Sequence, residues 1–279
     1  MKFEPSDLAI CETCGTQFDV PLDQHPESCR ICDDPRQYVP ASGQTWTSLH
    51  RSQPLQKNNF ETDAQNPHIH YITTAPLSPS ELPPGLADTS STRKQLGIGQ
   101  RAILLQTSGG NVLWDCVAFL NPDTISFVNS KGGLKAIVIS HPHFYTSHLE
   151  WAAVFKCPVY IAGEDQEWIN RADKDGARKF FSAGGETKIE ESGFKNAKHV
   201  PDTTSYSFMW AYPNMIPLSP KAILGIWKAI KGLEFDSTYG GFPGQNLSRP
   251  DLKVQVLESM KIFLRRGGHE GAEIYGESV

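Results

Sequence analysis

Two histidines separated by one residue are the side chains best placed to bind a metal in this sequence. His141 and His143 follow the apolar run at 136–139, which predicts a short buried strand. Alternate residues of an extended chain point to the same side, and Pro142 favours an extended His141, so both imidazoles can converge on one point. Because neutral imidazole is the commonest metal ligand, the pair could form half of a zinc site.

Further histidines extend or compete with this interpretation. His148, at the start of a predicted helix, could supply a third nitrogen to the same metal. The alternative is that all three histidines belong to a loop and make ordinary hydrogen bonds. A second His-x-His, formed by His68 and His70, lies in a loop-rich stretch, and we expect these side chains to make hydrogen bonds or lie at the surface.

Four cysteines form two C-x-x-C pairs with 14 residues between them. These are Cys11, Cys14, Cys29 and Cys32. Each C-x-x-C turn can supply two thiolates to a tetrahedral zinc, and Gly15 can take the left-handed backbone conformation after the first pair. Four free buried cysteines would not explain the paired spacing, and a redox motif would be a single C-x-x-C near a βαβ pattern. The spacing therefore predicts a closed, structural zinc ribbon.

The strand that leads to His141 and His143 resembles the metallo-β-lactamase-fold hydrolases, whose metal motif His-x-His-x-Asp-His follows a strand. The cysteine pairs resemble a subgroup of that family with an N-terminal zinc knuckle. The resemblance implies an αββα sandwich and hydrolysis of an ester, thioester or similar bond by zinc-activated water. The motif is partial, since Tyr145 stands at the Asp position and Thr146 at the final His position.

The same resemblance suggests roles for two further residues. Apolar runs at 99–107 and 111–116, separated by a Gly-Gly turn, predict a hairpin that ends at Asp115. In the family an aspartate at this place lies below the metal site. Asp115 would then either orient a ligand imidazole or cap a turn at the strand end. Tyr145 could donate a hydrogen bond to an oxyanion.

The second half of the family's metal site is missing from the sequence. Residues 176–200 contain a single histidine and no Gly-His metal loop, and the family's final His position holds Tyr239. We therefore expect an incomplete domain that has lost a segment near 190–200, with weak or lost activity. The remaining candidates for additional ligands are His199, Asp202 and Asp236.

The chain is predicted to form two domains of an α/β protein. Residues 1–48 would be the four-cysteine zinc ribbon and residues 49–279 the metallo-β-lactamase-like domain. The alternation of strands and helices after the histidine pair is typical of a layered α/β domain. Two further helices are predicted: one is capped by Ser219, starts at Pro220 and ends at Gly232, and the other, capped by Ser248, runs from about 250 to 266.

Charge and composition exclude several classes of partner. Residues 1–50 hold three basic and eight acidic side chains, which accounts for the whole net charge of −5. A nucleic-acid-binding module needs a basic face, so we expect no nucleic-acid partner. No apolar run approaches the ~18 residues of a membrane span, so no membrane partner is expected either. Paired cysteines of the metal type favour a reducing compartment, the cytoplasm.

Two functions follow from these patterns. The first is a metal-dependent hydrolase of a small-molecule substrate, with zinc in the ribbon and a second zinc at the histidines. The second is a non-catalytic zinc-ribbon protein whose degenerate domain serves for binding or scaffolding. A count of bound metal ions separates the two.

Overall fold

The computed structural model describes residues 3–34, 39–41, 43–86, 94–181, 206–211 and 215–279. Within these ranges the chain forms two compact units. The first unit takes the described residues up to 181 together with 241–243, and the second unit takes 206–240 and 244–279 outside the gap at 212–214.

The first unit begins with a small antiparallel sheet that carries the cysteines. Its strands are β1 (Leu8–Cys11), β2 (Gln17–Pro21) and β3 (Trp46–Thr47), with β1 in the centre. A helix of one turn, α1 (Leu49–Ser52), follows β3. We call residues 3–34 together with β3 the cysteine module.

The rest of the first unit is built on a mixed sheet of seven strands. The strands in chain order are β4 (Gln56–Thr62), β5 (Ile69–Pro76), β6 (Arg101–Leu105), β7 (Val112–Trp114), β8 (Ala136–Ile139), β9 (Val159–Ala162) and β10 (Arg178–Phe181). They lie in the sheet in this same order. Neighbouring strands from β4 to β7 pair antiparallel, and neighbouring strands from β7 to β10 pair parallel.

Two helices make the parallel connections that place the histidines. Helix α2 (Pro122–Ser130) links β7 to β8 and starts at Asn121, whose side chain accepts a hydrogen bond from the Thr124 amide. Helix α3 (His148–Phe155) links β8 to β9. Since parallel neighbours need such crossovers, β8 ends at the same sheet edge as β7 and β9. The predicted histidine strand thus lies inside the sheet.

The predicted hairpin after residue 99 is confirmed. Strands β6 and β7 pair antiparallel in a register that places Leu105 opposite Val112, with the glycine turn between them. After β9 the chain forms a 3-10 helix at Gly163–Trp168. His70 is buried between Thr62 and Gln106, which contact its two ring nitrogens at 2.9 Å each, so its expected hydrogen-bonding role is confirmed.

One hydrophobic core joins the cysteine module to the seven-stranded sheet. Ile10 and Ile31 of the module belong to the same cluster of buried side chains as Leu104 and Ile137 of the sheet and Trp151 of α3. The first unit therefore contains residues on both sides of the domain boundary predicted between residues 48 and 49. The division into two domains at that point stays a prediction. The segment expected to be lost near 190–200 lies outside the described residues.

The second unit contains the two helices predicted near the C-terminus. Its elements are β11 (Met209–Ala211), β12 (Ile216–Pro217), α4 (Pro220–Ile230), β13 (Ser237–Tyr239), β14 (Asn246–Ser248), α5 (Leu252–Arg266) and a 3-10 helix at Glu273–Gly276. Its core includes Trp227 and Met260. The cap predicted at Ser248 is wrong, because Ser248 ends β14 and its hydroxyl hydrogen-bonds that of Ser237 at 2.6 Å.

The α/β class predicted from the sequence is confirmed, with a large mixed sheet and a four-cysteine group near the N-terminus. In the ranges that the structure covers, no helix has both the length and the apolar character needed to cross a bilayer.

Candidate metal centres

The four predicted cysteine ligands come together in one buried cluster. Their Sγ atoms all lie within 4.8 Å of one another. Cys11 Sγ is 3.9 Å from Cys32 Sγ, and Cys14 Sγ is 3.7 Å from Cys29 Sγ. Two thiolates on one tetrahedral zinc at ~2.3 Å would lie about 3.8 Å apart, so the donor set and its spacing fit a closed metal site.

Local turns in the cysteine module bring the sulfurs together. After the first pair, Gly15 has φ of 81° and its amide donates to the Cys11 carbonyl at 2.8 Å. A Cβ at this glycine would also lie 2.7 Å from the Cβ of Ala118, so both the turn and the close approach require glycine. At the second pair, the amides of Cys32 and Asp33 donate to the Cys29 carbonyl.

The thiols of the cluster compete for one negative charge. Hydrogen bonds from the thiols of Cys14, Cys29 and Cys32 lower the pKa of Cys11. The same contacts raise the pKa of Cys14, so a second thiolate is disfavoured without a positive partner. A divalent cation bound by all four sulfurs would supply that positive charge.

The histidine pair lies at the end of β8, as predicted, but converges for a different reason. His141 is extended, with φ of −158° and ψ of 149°. His143, in contrast, lies in a 3-10 turn at Pro142–Phe144, so the two residues are not alternate positions of one strand. The turn folds the second ring back, and the two Nδ1 atoms approach to 3.2 Å.

This separation is suited both to a shared proton and to a shared metal. Two imidazole nitrogens on one tetrahedral zinc at ~2.0–2.1 Å would lie about 3.4 Å apart. Loss of solvation lowers the pKa of His141, and loss of solvation followed by the charge of His141 lowers the pKa of His143 to about 4. Both rings are therefore neutral at pH 7, the form that binds a metal.

Asp115 holds the loop that carries the histidines. Its carboxylate accepts hydrogen bonds from the Ser140 amide at 2.8 Å and the Ser140 hydroxyl at 2.9 Å, and its own amide donates to the Val138 carbonyl. The side chain is 2% exposed and the residue has φ of 63°. The structure thus places Asp115 on the backbone next to His141, as a positioning group for the strand end.

Burial of Asp115 predicts a pH dependence of stability. Burial raises the pKa of Asp115 to about 6, above the ordinary value of about 4 that it has in the unfolded chain. The folded state therefore holds this proton more tightly. The contribution of Asp115 to the free energy of unfolding is full below pH ~4 and falls by about 3 kcal/mol as pH rises to ~6.

Urea unfolding at pH 4, 5, 6 and 7 measures this effect as the difference between wild type and Asp115→Asn, which cannot ionise. The subtraction is needed because burial lowers the pKa of His148 to about 3, which acts in the opposite direction. Parallel pH profiles for the two proteins would contradict the prediction.

His148, expected as a third ligand, has both ring nitrogens in buried hydrogen bonds. Nδ1–H donates to the Tyr145 carbonyl at 2.6 Å, which leaves Nε2 to accept from Arg178 Nε at 2.9 Å. His148 is 4% exposed. Within the described part of the chain, the cysteine cluster alone brings three or more possible ligand atoms within 4.8 Å, so His148 does not join His141 and His143 in such a group.

Tyr145, expected to donate to an oxyanion, uses its hydroxyl elsewhere. The hydroxyl donates to the Asp165 carbonyl at 2.9 Å, and the ring is 2% exposed. Burial raises the pKa of Tyr145 well above its ordinary value. Its position therefore stabilises the loop between β8 and α3.

Sequence reasoning did not identify two residues that shape this region. Ser140 carries the contact between Asp115 and the histidine loop, and Arg178 fixes the tautomer of His148. Neither residue belongs to a sequence motif that would indicate its role. Arg178 is preceded by Ala and followed by Lys179, and only the sheet order shows that the first cation is buried while the second is exposed.

No family model matches this chain. A solved chain from the characterization of a B3 metallo-beta-lactamase with an active site glutamic acid is 14% identical, with a TM-score of 0.44 over 84% of this chain and 97% of that chain. The uncharacterized protein YmaE of Bacillus subtilis (strain 168) is 33% identical over 274 residues, which covers 88% of this chain and 92% of YmaE. The chain belongs to the family of YmaE.

Proposed function

We propose that this chain is a metal-dependent hydrolase of ester or thioester bonds, with a structural zinc in the cysteine cluster and a second zinc at His141 and His143. The observation that supports the second site is the 3.2 Å separation of the two Nδ1 atoms. A zinc ion held there would supply Lewis acidity toward a carbonyl substrate.

The chain's own residues prepare this site in two ways. The low pKa values of His141 and His143 keep both rings neutral and able to bind at pH 7. Asp115 accepts two hydrogen bonds from Ser140, and these hold the backbone that precedes His141 at the edge of the sheet. Such fixed donors avoid the cost of ordering the loop when a ligand binds.

A catalytic zinc commonly has three protein ligands, and the structure restricts the choice of the third. His148 is engaged with Tyr145 and Arg178. Asp236 belongs to the second unit, where its carboxylate accepts from the Ser237 hydroxyl at 2.9 Å. His199 and Asp202 lie outside the described residues.

The second candidate function is a non-catalytic zinc-ribbon protein whose α/β domain binds a partner or serves as a scaffold. The buried hydrogen bonds of His148 and Tyr145 favour it, because both side chains expected to assist catalysis stabilise the loop instead. In this case metal is confined to the cysteine cluster.

Elemental analysis of purified protein distinguishes the two functions. The hydrolase predicts two zinc ions per chain in wild type and one in His141→Ala. The matched control is His68→Ala, which removes an exposed histidine of the other His-x-His and should leave both ions bound. Hydrolysis of p-nitrophenyl acetate should follow the second zinc. One zinc in all three proteins would contradict the hydrolase and support the ribbon-only function.

A further inference from the structure

A short segment from the C-terminal part of the chain packs on the turn that carries the histidine pair. Residues Gly241–Pro243 lie between β13 and β14 in the chain, yet they belong to the first unit. The Gly241 carbonyl accepts a hydrogen bond from the amide of Arg101, the first residue of β6, at 2.9 Å. This bond fixes the segment at the start of β6.

The start of β6 lies at the same edge of the seven-stranded sheet as the histidines. Strand β6 runs antiparallel to β7 with Ile103 opposite Trp114, so Arg101 lies beyond the last residue of β7. Strand β8 runs parallel to β7, and His141 follows its C-terminal end. The segment is thus held where β7 and β8 end, at the edge where open α/β sheets bind their ligands.

The segment contacts the histidine turn through Phe144. A Cβ at Gly241 would lie 2.7 Å from Cζ and 3.3 Å from Cε1 of the Phe144 ring, so the glycine backbone packs directly against the ring. The rings of Phe144 and Phe242 have their centroids 6.3 Å apart. Phe144 is 8% exposed and belongs to the core of the first unit, so its ring has little room to move aside.

The position of Phe144 determines where the second imidazole lies. Phe144 ends the 3-10 turn that contains His143, and its amide donates to the His141 carbonyl at 2.9 Å. Asp115 holds the backbone before His141 through Ser140, and the packing of Phe144 holds the other end of the turn. The 3.2 Å separation of the two Nδ1 atoms therefore depends on both contacts.

We propose that Gly241 is a positioning residue of the histidine centre and that it acts through Phe144. An added methyl group at Gly241 would displace the ring and the turn, and the two Nδ1 atoms would separate. Gly241 does not have a positive φ, so alanine is strained there by this contact and not by its own backbone. The expected effect on zinc rests on the proposed function, whereas the expected effect on the two rings does not.

Titration of zinc against a chelator in the full chain tests this role with Gly241→Ala. The added methyl group should weaken binding of the second zinc about tenfold and leave the zinc of the cysteine cluster unchanged. The matched control is Gly109→Ala, in the turn between β6 and β7, where the new Cβ would lie 3.8 Å from Thr107 Oγ1. The control should bind both zinc ions as wild type does.

A second substitution separates positioning from a general loss of stability. Leucine in place of Phe144 lacks the outer ring carbons that approach Gly241, so Phe144→Leu combined with Gly241→Ala should restore the second zinc to within about threefold of wild-type affinity. If Gly241→Ala acted only through stability, the smaller core side chain would make the double variant bind more weakly still. That result would overturn the inference.

The ring nitrogens give a measurement that needs no second zinc. In the full chain with one equivalent of zinc, long-range ¹H–¹⁵N spectra of wild type should show one protonated and one unprotonated Nδ1 at the pair, because the two atoms share a proton. Gly241→Ala should lose this pattern, and Gly109→Ala and the double variant should keep it. An unchanged pattern in Gly241→Ala would overturn the inference. Loss of the pattern in Gly241→Ala, in a protein that binds one zinc, would support the positioning role and contradict the hydrolase.

Discussion

Replacement of Cys14 by serine is expected to remove the zinc that we propose for the cysteine cluster and to unfold most of the first unit at 25 °C. Zinc bound by four such ligands contributes of the order of 10 kcal/mol to folding at pH 7, which is comparable to the whole stability of a domain. Serine cannot replace the soft thiolate. Elemental analysis and the near-ultraviolet circular dichroism of Trp151 and its neighbours measure the two effects.

The effect should reach the histidines because the module packs on their loop. The Gln17 amide donates to the Thr146 carbonyl at 3.1 Å, and Gly15 approaches Ala118 closely. Cys14→Ser is therefore expected to lose the zinc at both centres, whereas His141→Ala should lose only the second. If the cysteine module supports the histidine loop, Cys14→Ser loses zinc at both centres. If the module folds independently of that loop, Cys14→Ser loses zinc at the cysteine cluster alone.

The control for Cys14→Ser is Cys157→Ala, which removes a buried thiol outside the cluster. It should keep the full zinc content and lose only about 1 kcal/mol of the free energy of unfolding. Full zinc content and wild-type dichroism in Cys14→Ser would contradict the assignment of the cluster as a metal site.

Asp115→Ala is expected to lower the free energy of unfolding by about 3–5 kcal/mol. The substitution leaves the Ser140 amide without its acceptor, and it places alanine at φ of 63°, where residues with a Cβ are strained. Because the loop of His141 loses its anchor, the second zinc should also bind more weakly. Urea unfolding and zinc titration measure these changes.

Asp115→Asn serves as the control for this prediction. Asparagine tolerates the left-handed backbone conformation, its Oδ1 can accept from the Ser140 amide, and its Nδ2 can donate to the Ser140 hydroxyl. We expect it to cost about 1 kcal/mol at pH 4, where the Asp115 carboxyl is protonated, and less as the pH rises. If alanine and asparagine cost the same, the anchoring role of Asp115 is wrong.

The parts of the fold that depend on local geometry could be predicted from the sequence. The C-x-x-C turns, the hairpin between β6 and β7, and the apolar strand β8 each follow from spacing within a few residues. For the cysteine cluster, spacing alone predicts two separate C-x-x-C turns. Because a structural zinc needs four ligands, we could also predict that the two turns come together.

The parts that depend on distant contacts could not be predicted. The role of His148 is set by Arg178, whose position depends on the parallel pairing of β9 and β10. The convergence of His141 and His143 was expected from an extended chain but results from a 3-10 turn. Ser248 has the residue type of a helix cap, yet its hydroxyl pairs across a strand.

The most direct test of the two-centre account is X-ray absorption at the zinc K-edge of purified wild type and His143→Ala. Two zinc centres should give a sulfur shell at about 2.3 Å together with a nitrogen shell at about 2.0 Å, and the nitrogen shell should disappear in the variant. A spectrum of sulfur ligands alone, unchanged by the substitution, would contradict a metal centre at the histidine pair.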